Sequence, residues 1–237
     1  LNNAHISFLS NIKIKTFENP EMFGENKLMP FDKEKSLKAL HGTTTVGFIT
    51  KDAVILAADK RATAGTLIAS RTVKKIVKIT DYAAMTIAGL VADAQMLADS
   101  IREEARLYET TNKRKLTVKG MATLLANVLF STKYYPYLVQ LIIGGYDTEP
   151  RLYSLDYFGS ITEEKMTSTG SGSPVALGVL ERDYKQDMSI EEAMNLAARA
   201  VKVAIMRDSA TGDGVDVFAI TSKGIRESFI PLQQLLS

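Results

Sequence analysis

Apolar residues recur along this chain in two periods, and the period changes at definite borders. Between Val91 and Tyr108 they fall at positions 94, 97, 101, 105 and 108, with Asp99, Arg102, Glu103 and Glu104 turned away. Steps of three and four predict an amphipathic helix there. A second helix is expected after Thr117, a residue type suited to the N-cap, burying Met121, Leu124, Leu125, Val128 and Leu129 before Pro136 ends it. Ser189 and Glu192 carry the spacing of a capping box for a third, whose stripe is Ile190, Ala193, Met194, Ala197, Val201, Ala204 and Ile205.

Elsewhere the pattern is extended. Strands are expected at Thr43–Phe48 and Ala53–Ala58, joined by a tight turn at Thr50-Lys51-Asp52, in a stretch after Gly65, at 74–79, and at Ala83–Ala88 ending on Gly89. Further strands are read at Leu138–Ile143, Arg151–Asp156, Val215–Thr221 and Glu227–Pro231, with Ser168 to Pro174 as a loop. Strands gather at both ends and in the middle instead of alternating regularly with helices. Two sheets covered by helices therefore suit the order better than one doubly wound sheet.

Residues 1–42 differ in character. They hold one alternating run, Ile12 to Phe17, breaks at Asn19-Pro20 and Met29-Pro30, and a short helical pattern from Asp32 to Leu40. A flexible extension and a removable propeptide both fit. The division expected is a propeptide over 1–42 and a catalytic domain over 43–237.

Composition narrows the chemistry. Cysteine is absent, which excludes disulfides and thiolate nucleophiles. The two histidines, His5 and His41, both precede Thr43, so an imidazole base or a multi-histidine zinc site would have to draw on the least patterned segment. A hydrolase built from this chain would more naturally use an amine or a carboxylate. The formal charge of +2 gives no steering toward nucleic acid, and no apolar run approaches a membrane span. The start lacks the basic and apolar regions of a secretory signal.

The Gly42-Thr43 bond lies at the border between the two kinds of sequence. If it is cut, Thr43 gains a free amine with a pKa of about 8, so that one residue supplies both nucleophile and base. The same segment also reads as an ordinary strand opening. Lys75 lies in a semi-apolar strand where desolvation and a second amine would lower its pKa, although Lys74-Lys75 could equally be surface charge. Asp59 follows the apolar run Val54–Ala58 and could partner that lysine, or simply end a strand. The loop Gly170-Ser171-Gly172-Ser173-Pro174 fits neither the phosphate-cradle pattern nor the nucleophile elbow, yet suits the presentation of a hydroxyl and amides. Asp208 to Gly212 reads first as a helix-stop turn.

Several of these pieces occur together. Gly42-Thr43-Thr44-Thr45-Val46-Gly47, Ala57-Ala58-Asp59-Lys60-Arg61, Val73-Lys74-Lys75-Ile76, Thr86-Ile87-Ala88-Gly89, Gly170-Ser171-Gly172-Ser173-Pro174 and Arg207-Asp208-Ser209-Ala210 stand at spacings that resemble a proteasome beta subunit of the archaeal type. The resemblance covers essentially all of residues 43–229. It implies an α+β fold, the four-layer αββα sandwich of N-terminal-nucleophile hydrolases. It also implies a threonine endopeptidase that degrades unfolded proteins, works in the cytoplasm, uses no cofactor and frees its own N-terminus by autocatalytic cleavage. Seven beta subunits would form a ring that stacks on an opposing beta ring, with alpha subunits closing both ends and a regulatory ATPase acting indirectly. A ring subunit without peptidase activity is the alternative; a nucleotide-binding protein using the 170–174 loop is a third reading.

By the same resemblance the nucleophile falls on Thr43, its lysine on Lys75, that lysine's aspartate on Asp59 and the oxyanion amide on Gly89. Supporting roles fall on Ser171, Asp208 and Thr211; the family commonly has serine where Thr211 stands. The leader would be cut between Gly42 and Thr43. Ala62, Thr63, Val73, Val77, Ile87, Val91 and Gln95 would line or border the pocket for the residue before the scissile bond. None is charged, so cleavage after large apolar residues is expected.

Overall fold

The structure is a computed structural model that describes residues 42–236. Its strands form two five-stranded antiparallel sheets and one small hairpin. The first sheet joins β1 (Thr45–Ile49), β2 (Ala53–Asp59), β10 (Met166–Thr169), β11 (Val215–Thr221) and β12 (Gly224–Ile230) in the order β10-β1-β2-β11-β12. The second runs in chain order through β5 (Ile76–Thr80), β6 (Ala83–Gly89), β7 (Val139–Tyr146), β8 (Pro150–Leu155) and β9 (Ile161–Glu163). The hairpin is β3 (Ala62–Ala64) with β4 (Leu67–Ser70).

Period-two alternation divides the central strands between two cores. In β2, Val54, Leu56 and Ala58 meet Ile142, Leu152 and Phe218 between the sheets, whereas Ala53, Ile55 and Ala57 face the helices α3 (Ser173–Asp183) and α4 (Ile190–Ile205). On the second sheet, Met85, Leu141, Ile143 and Tyr153 pack under α1 (Val91–Asn112) and α2 (Val118–Ser131). Each layer thus buries an apolar face on both sides or on one, and the result is the αββα sandwich expected from the sequence. A short helix, α5 (Leu232–Leu236), follows β12.

Local chemistry accounts for the element ends. The Thr117 side chain accepts from Gly120 N, and Ser189 with Glu192 closes the capping box in both directions. The buried stripes are those the spacing predicts: Ala94, Leu97, Ile101 and Ala105 in α1; Met121, Leu125 and Leu129 in α2; Ala193, Met194, Ala197, Val201 and Ala204 in α4.

Several boundaries differ from the reading of the sequence. α1 continues to Asn112, where Lys113 turns left-handed at φ 55°, because its last turn is exposed and needs no apolar stripe to continue. α2 stops at Ser131, five residues before Pro136, with Thr132 donating to the carbonyls of Val128 and Leu129. β1 begins at Thr45, because Thr43 and Thr44 turn into other contacts, and β12 begins at Gly224, three residues early. The loop expected from Ser168 to Pro174 is narrower, a turn at 170–172: β10 runs to Thr169 before it and α3, a helix the periodicity does not reveal, starts at Ser173 after it. Pro174, in the first turn of α3, was the available signal. The runs at 12–17 and 32–40 lie outside the described residues.

Candidate active site

The candidate residues meet because they stand at element ends on one side of the two sheets. Thr43 precedes β1, Asp59 closes β2, Lys75 immediately precedes β5 and Gly89 closes β6. Ser171 lies between β10 and α3, and Asp208 and Thr211 lie between α4 and β11. The β1–β2 register pairs Thr45 with Ala58, which sets Thr44 beside Asp59. Asp59 N donates to Thr44 O at 3.2 Å, and Thr44 N donates to Asp59 Oδ1 at 3.0 Å.

Asp59 and Lys75 form a buried pair. Lys75 Nζ lies 2.8 Å from Asp59 Oδ1, with side-chain exposures of 4% and 0%. A buried carboxylate is costly unless its oxygens are satisfied. Here Oδ1 also receives Thr44 N, and Oδ2 receives Arg61 N and Gly212 N, each at 3.0 Å. Burial lowers the Lys75 ammonium from its ordinary range and pushes the Asp59 carboxyl up, while their contact opposes both shifts.

The Gly42-Thr43 bond sits directly against this pair. Lys75 Nζ donates to Gly42 O at 3.0 Å, and the Thr43 hydroxyl donates to the same oxygen at 2.7 Å. Two donors on one carbonyl draw electron density from its carbon. The hydroxyl that could attack that carbon is itself one of the two. Gly42 has φ 126°, and a side chain there would bring Cβ to 2.4 Å from Thr63 Oγ1. Only glycine fits both the backbone and the space.

On the other side stands a hydroxyl–carboxylate cluster. Thr43 N donates to Ser171 Oγ at 3.4 Å, Ser171 Oγ donates to Asp208 Oδ2 at 2.5 Å, and Thr211 Oγ1 donates to the same oxygen at 2.5 Å. Asp208 Oδ1 accepts from Ala210 N. The amide of Thr43 would become an amine on cleavage, so the group that would titrate already points at a hydroxyl backed by a carboxylate.

Hydrogen bonds thus gather Thr43, Asp59, Lys75, Ser171, Asp208 and Thr211. Gly89 joins through the chain rather than through this network: Ile87 N donates to Lys75 O at 2.9 Å, and Gly89 follows two residues later at φ 114°, a backbone value suited to glycine. In this state the recorded donors to the Gly42 carbonyl are Lys75 and Thr43. The expected pocket residues are spread around that end. Val77 and Ile87 pack against the core under α1, Val91 opens α1, and Gln95 is exposed one turn on. Ala62 and Thr63 lie in β3, and Val73 N donates to Lys60 O.

Two features were missed from the sequence. Thr44 is fully buried, and its Oγ1 lies 2.8 Å from Thr211 Oγ1. Arg61 donates through Nε to Asp213 and through Nη1 to Ser209 O, while Arg71 holds the other oxygen of Asp213. A cluster of charge at the end of β2 was visible as Asp59-Lys60-Arg61, but nothing local named its partners.

Among the described residues no helix is long and apolar enough to cross a membrane. The family model described as proteasome subunit matches residues 39–220. The chain is 63% identical to proteasome subunit beta 2 of Aeropyrum pernix, covering 82% of this chain and 89% of that protein. It is 58% identical to proteasome subunit beta 2 of Ignicoccus hospitalis, over 81% of this chain and 91% of the relative. With proteasome subunit beta 2 of Hyperthermus butylicus it shares 55% identity, over 84% and 94% of the two chains. With a four-layer sandwich that brings a threonine, a lysine and an aspartate together at one end, and with that identity over most of its length, the chain belongs to the proteasome subunit family, as a beta subunit of the archaeal threonine-endopeptidase type.

Proposed function

We propose that Thr43 is the nucleophile of this peptidase and that the chain is a precursor which releases residues 1–42 by attack of Thr43 on its own preceding bond. The observation that carries this reading is the convergence of the Thr43 hydroxyl and the Lys75 ammonium on the Gly42 carbonyl. Addition of Thr43 Oγ to the Gly42 carbonyl carbon, followed by breakage of the Gly42–Thr43 C–N bond, transfers the acyl group to oxygen and a proton to nitrogen. Water then hydrolyses the ester. The products are a Gly42 carboxylate and a Thr43 bearing both hydroxyl and free amine.

The mature site would repeat the chemistry on a substrate. The Thr43 amine takes the hydroxyl proton as Oγ attacks the scissile carbonyl, the leaving amine takes that proton, and water releases the second product from the acyl-enzyme. Lys75 stabilises the developing negative charge on Thr43, and Asp59 orients Lys75. The Gly89 amide is assigned to the oxyanion, with Ser171, Asp208 and Thr211 holding the amine. No cofactor takes part.

Ala62, Thr63, Val73, Val77, Ile87, Val91 and Gln95 are assigned to the pocket for the residue before the scissile bond. None is charged, so a large apolar side chain gains roughly 1.5–3 kcal/mol on burial, whereas a charged one would lie unpaired. Work in the cytoplasm, on unfolded polypeptides, is in keeping with a chamber built from two seven-membered beta rings, with alpha rings at the ends and an ATPase feeding it.

Intact mass and peptide hydrolysis of assembled particles test the assignment together. New N-termini at Thr43, with both processing and activity lost in Thr43→Ala, are expected. Full activity in particles that retain residues 1–42 would refute it. Matched fluorogenic peptides test the pocket separately: cleavage after Asp or Arg as fast as after Leu or Tyr would remove the pocket while leaving the nucleophile in place.

A further inference from the structure

We infer that Thr44, the residue after the nucleophile, is a positioning residue for the reaction, acting through Thr211; the inference rests on the assignment of Thr43 above. Its Oγ1 lies 2.8 Å from Thr211 Oγ1. A threonine hydroxyl has one proton, and Thr211 directs its own to Asp208 Oδ2 at 2.5 Å. Thr44 is therefore the donor in the Thr44–Thr211 bond. The proton order runs from Thr44 to Thr211 to Asp208, the carboxylate that also receives Ser171.

Burial makes this order matter. Thr44 and Thr211 both have zero exposure, so water does not replace a lost partner at either hydroxyl. Without the Thr44 proton, the Thr211 oxygen keeps an unsatisfied lone pair, and its hydroxyl gains by turning to receive a bond elsewhere. Asp208 Oδ2 then loses one of its two hydroxyl donors, and the placement of Ser171 beside the Thr43 nitrogen loosens.

Two further contacts show that the Thr44 side chain has a built place. A Cβ on Gly172 would stand 2.0 Å from Thr44 Oγ1, so the loop before α3 leaves the room of a side chain for this hydroxyl. The main-chain nitrogen of Thr44 meanwhile donates to Asp59 Oδ1, the oxygen that holds Lys75. One residue thus joins the lysine–aspartate pair to the serine–aspartate cluster. Both lie against Thr43, and neither touches the other by these bonds.

The test uses assembled, processed particles and a fluorogenic peptide ending in Leu or Tyr. Thr44→Val keeps the shape and removes the hydroxyl; kcat is expected to fall about tenfold with KM unchanged, and Thr44→Ser to stay within about twofold of wild type. In a Thr211→Val background, Thr44→Val is expected to cost nothing more, because its effect passes through that hydroxyl. Wild-type kcat in Thr44→Val, equal losses in the Ser and Val variants, or multiplying losses in the double variant would each overturn the inference. If Thr44→Val does not assemble, Gly172→Ala displaces the same hydroxyl by a methyl group, and an undiminished kcat there overturns it as well. Thr43→Ala is measured alongside: activity in that variant would defeat the nucleophile assignment, independently of Thr44.

Discussion

At the scale of single residues, the site is governed by the cost of burying charge. Lys75 and Asp59 are tolerated inside because four donors meet the two oxygens of Asp59 and because Lys75 also reaches the Gly42 carbonyl. Lys75→Ala leaves that carboxylate without its cation and removes a donor from the Gly42 carbonyl. Leader loss and peptide hydrolysis are expected to fall by about 10²–10³-fold, as for the loss of one transition-state donor, measured by intact mass against time and by initial rates. Gly42 gives a separate, purely steric prediction. An alanine there places Cβ within 2.4 Å of Thr63 Oγ1 on a backbone at φ 126°. Gly42→Ala is expected to slow leader release, and Thr63→Ala in the same chain to restore part of the rate. An unchanged rate in Gly42→Ala would show that the bond is cut from a different conformation.

At the scale of elements, the site depends on a clamp between two irregular segments. The hairpin β3–β4 is flanked by Arg61 and Arg71, and both guanidiniums hold Asp213 in the turn before β11, at 2.8 and 2.7 Å. Burial alone would push the Asp213 carboxyl up, but the two arginines bring it below its usual range. A carboxyl depressed by folding stabilises the folded state above its unfolded pKa of about 4 and loses that contribution as pH falls through the folded value. Asp213→Asn is therefore expected to lower Tm at pH 7, with the gap from wild type closing below about pH 4. A gap that stays constant with pH would mean the clamp acts by packing and not by charge. Arg71 is 63% exposed, so most of the effect belongs to Arg61. The capped helices give a simpler check: Thr117→Ala, which removes the acceptor for Gly120 N, should cost about 1 kcal/mol in urea unfolding.

At the scale of the whole molecule, two sheets share one core and each carries a helical layer, so the strand ends on one side form a common rim. That rim is where the site lies. Exposed aromatic residues remain elsewhere: Phe130, Tyr134 and Tyr135, after and within the end of α2, have exposures of 58%, 82% and 84%. Membership of the family implies ring assembly, and under the proposed function leader removal is expected to accompany that assembly. Native mass spectrometry is expected to find residues 1–42 on free subunits and on half-assembled particles, and to lose them when the partner rings are added. Leader loss in an isolated monomer would contradict this.

The sequence by itself determined the elements whose signals are local. The stripe of α1, the Thr117 cap, the Ser189–Glu192 box and the apolar run of β2 follow from steric periods, from burial and from the need to satisfy helix ends, which nearby residues alone can answer. It also displayed the candidate residues of the proposed site, because Thr43, Lys75, Asp59 and the 170–174 segment stand in motifs with family spacing. α3 escaped because its apolar face is short and its start resembles a glycine-rich loop. Only the tertiary structure decided that Lys75 is buried and Lys74 exposed, since neighbouring residues in an extended segment face opposite ways and the charge pattern is the same for both. Likewise Thr44 and Thr45 look alike as β-branched strand residues. The β1–β2 register puts one beside Asp59, with its hydroxyl on Thr211, and the fold puts the hydroxyl of the other on Thr169. The two hydroxyl partners, Thr211 and Thr169, lie more than a hundred residues away along the chain, and contacts at that separation are fixed by how the strands and loops pack, a property no local window of the sequence contains.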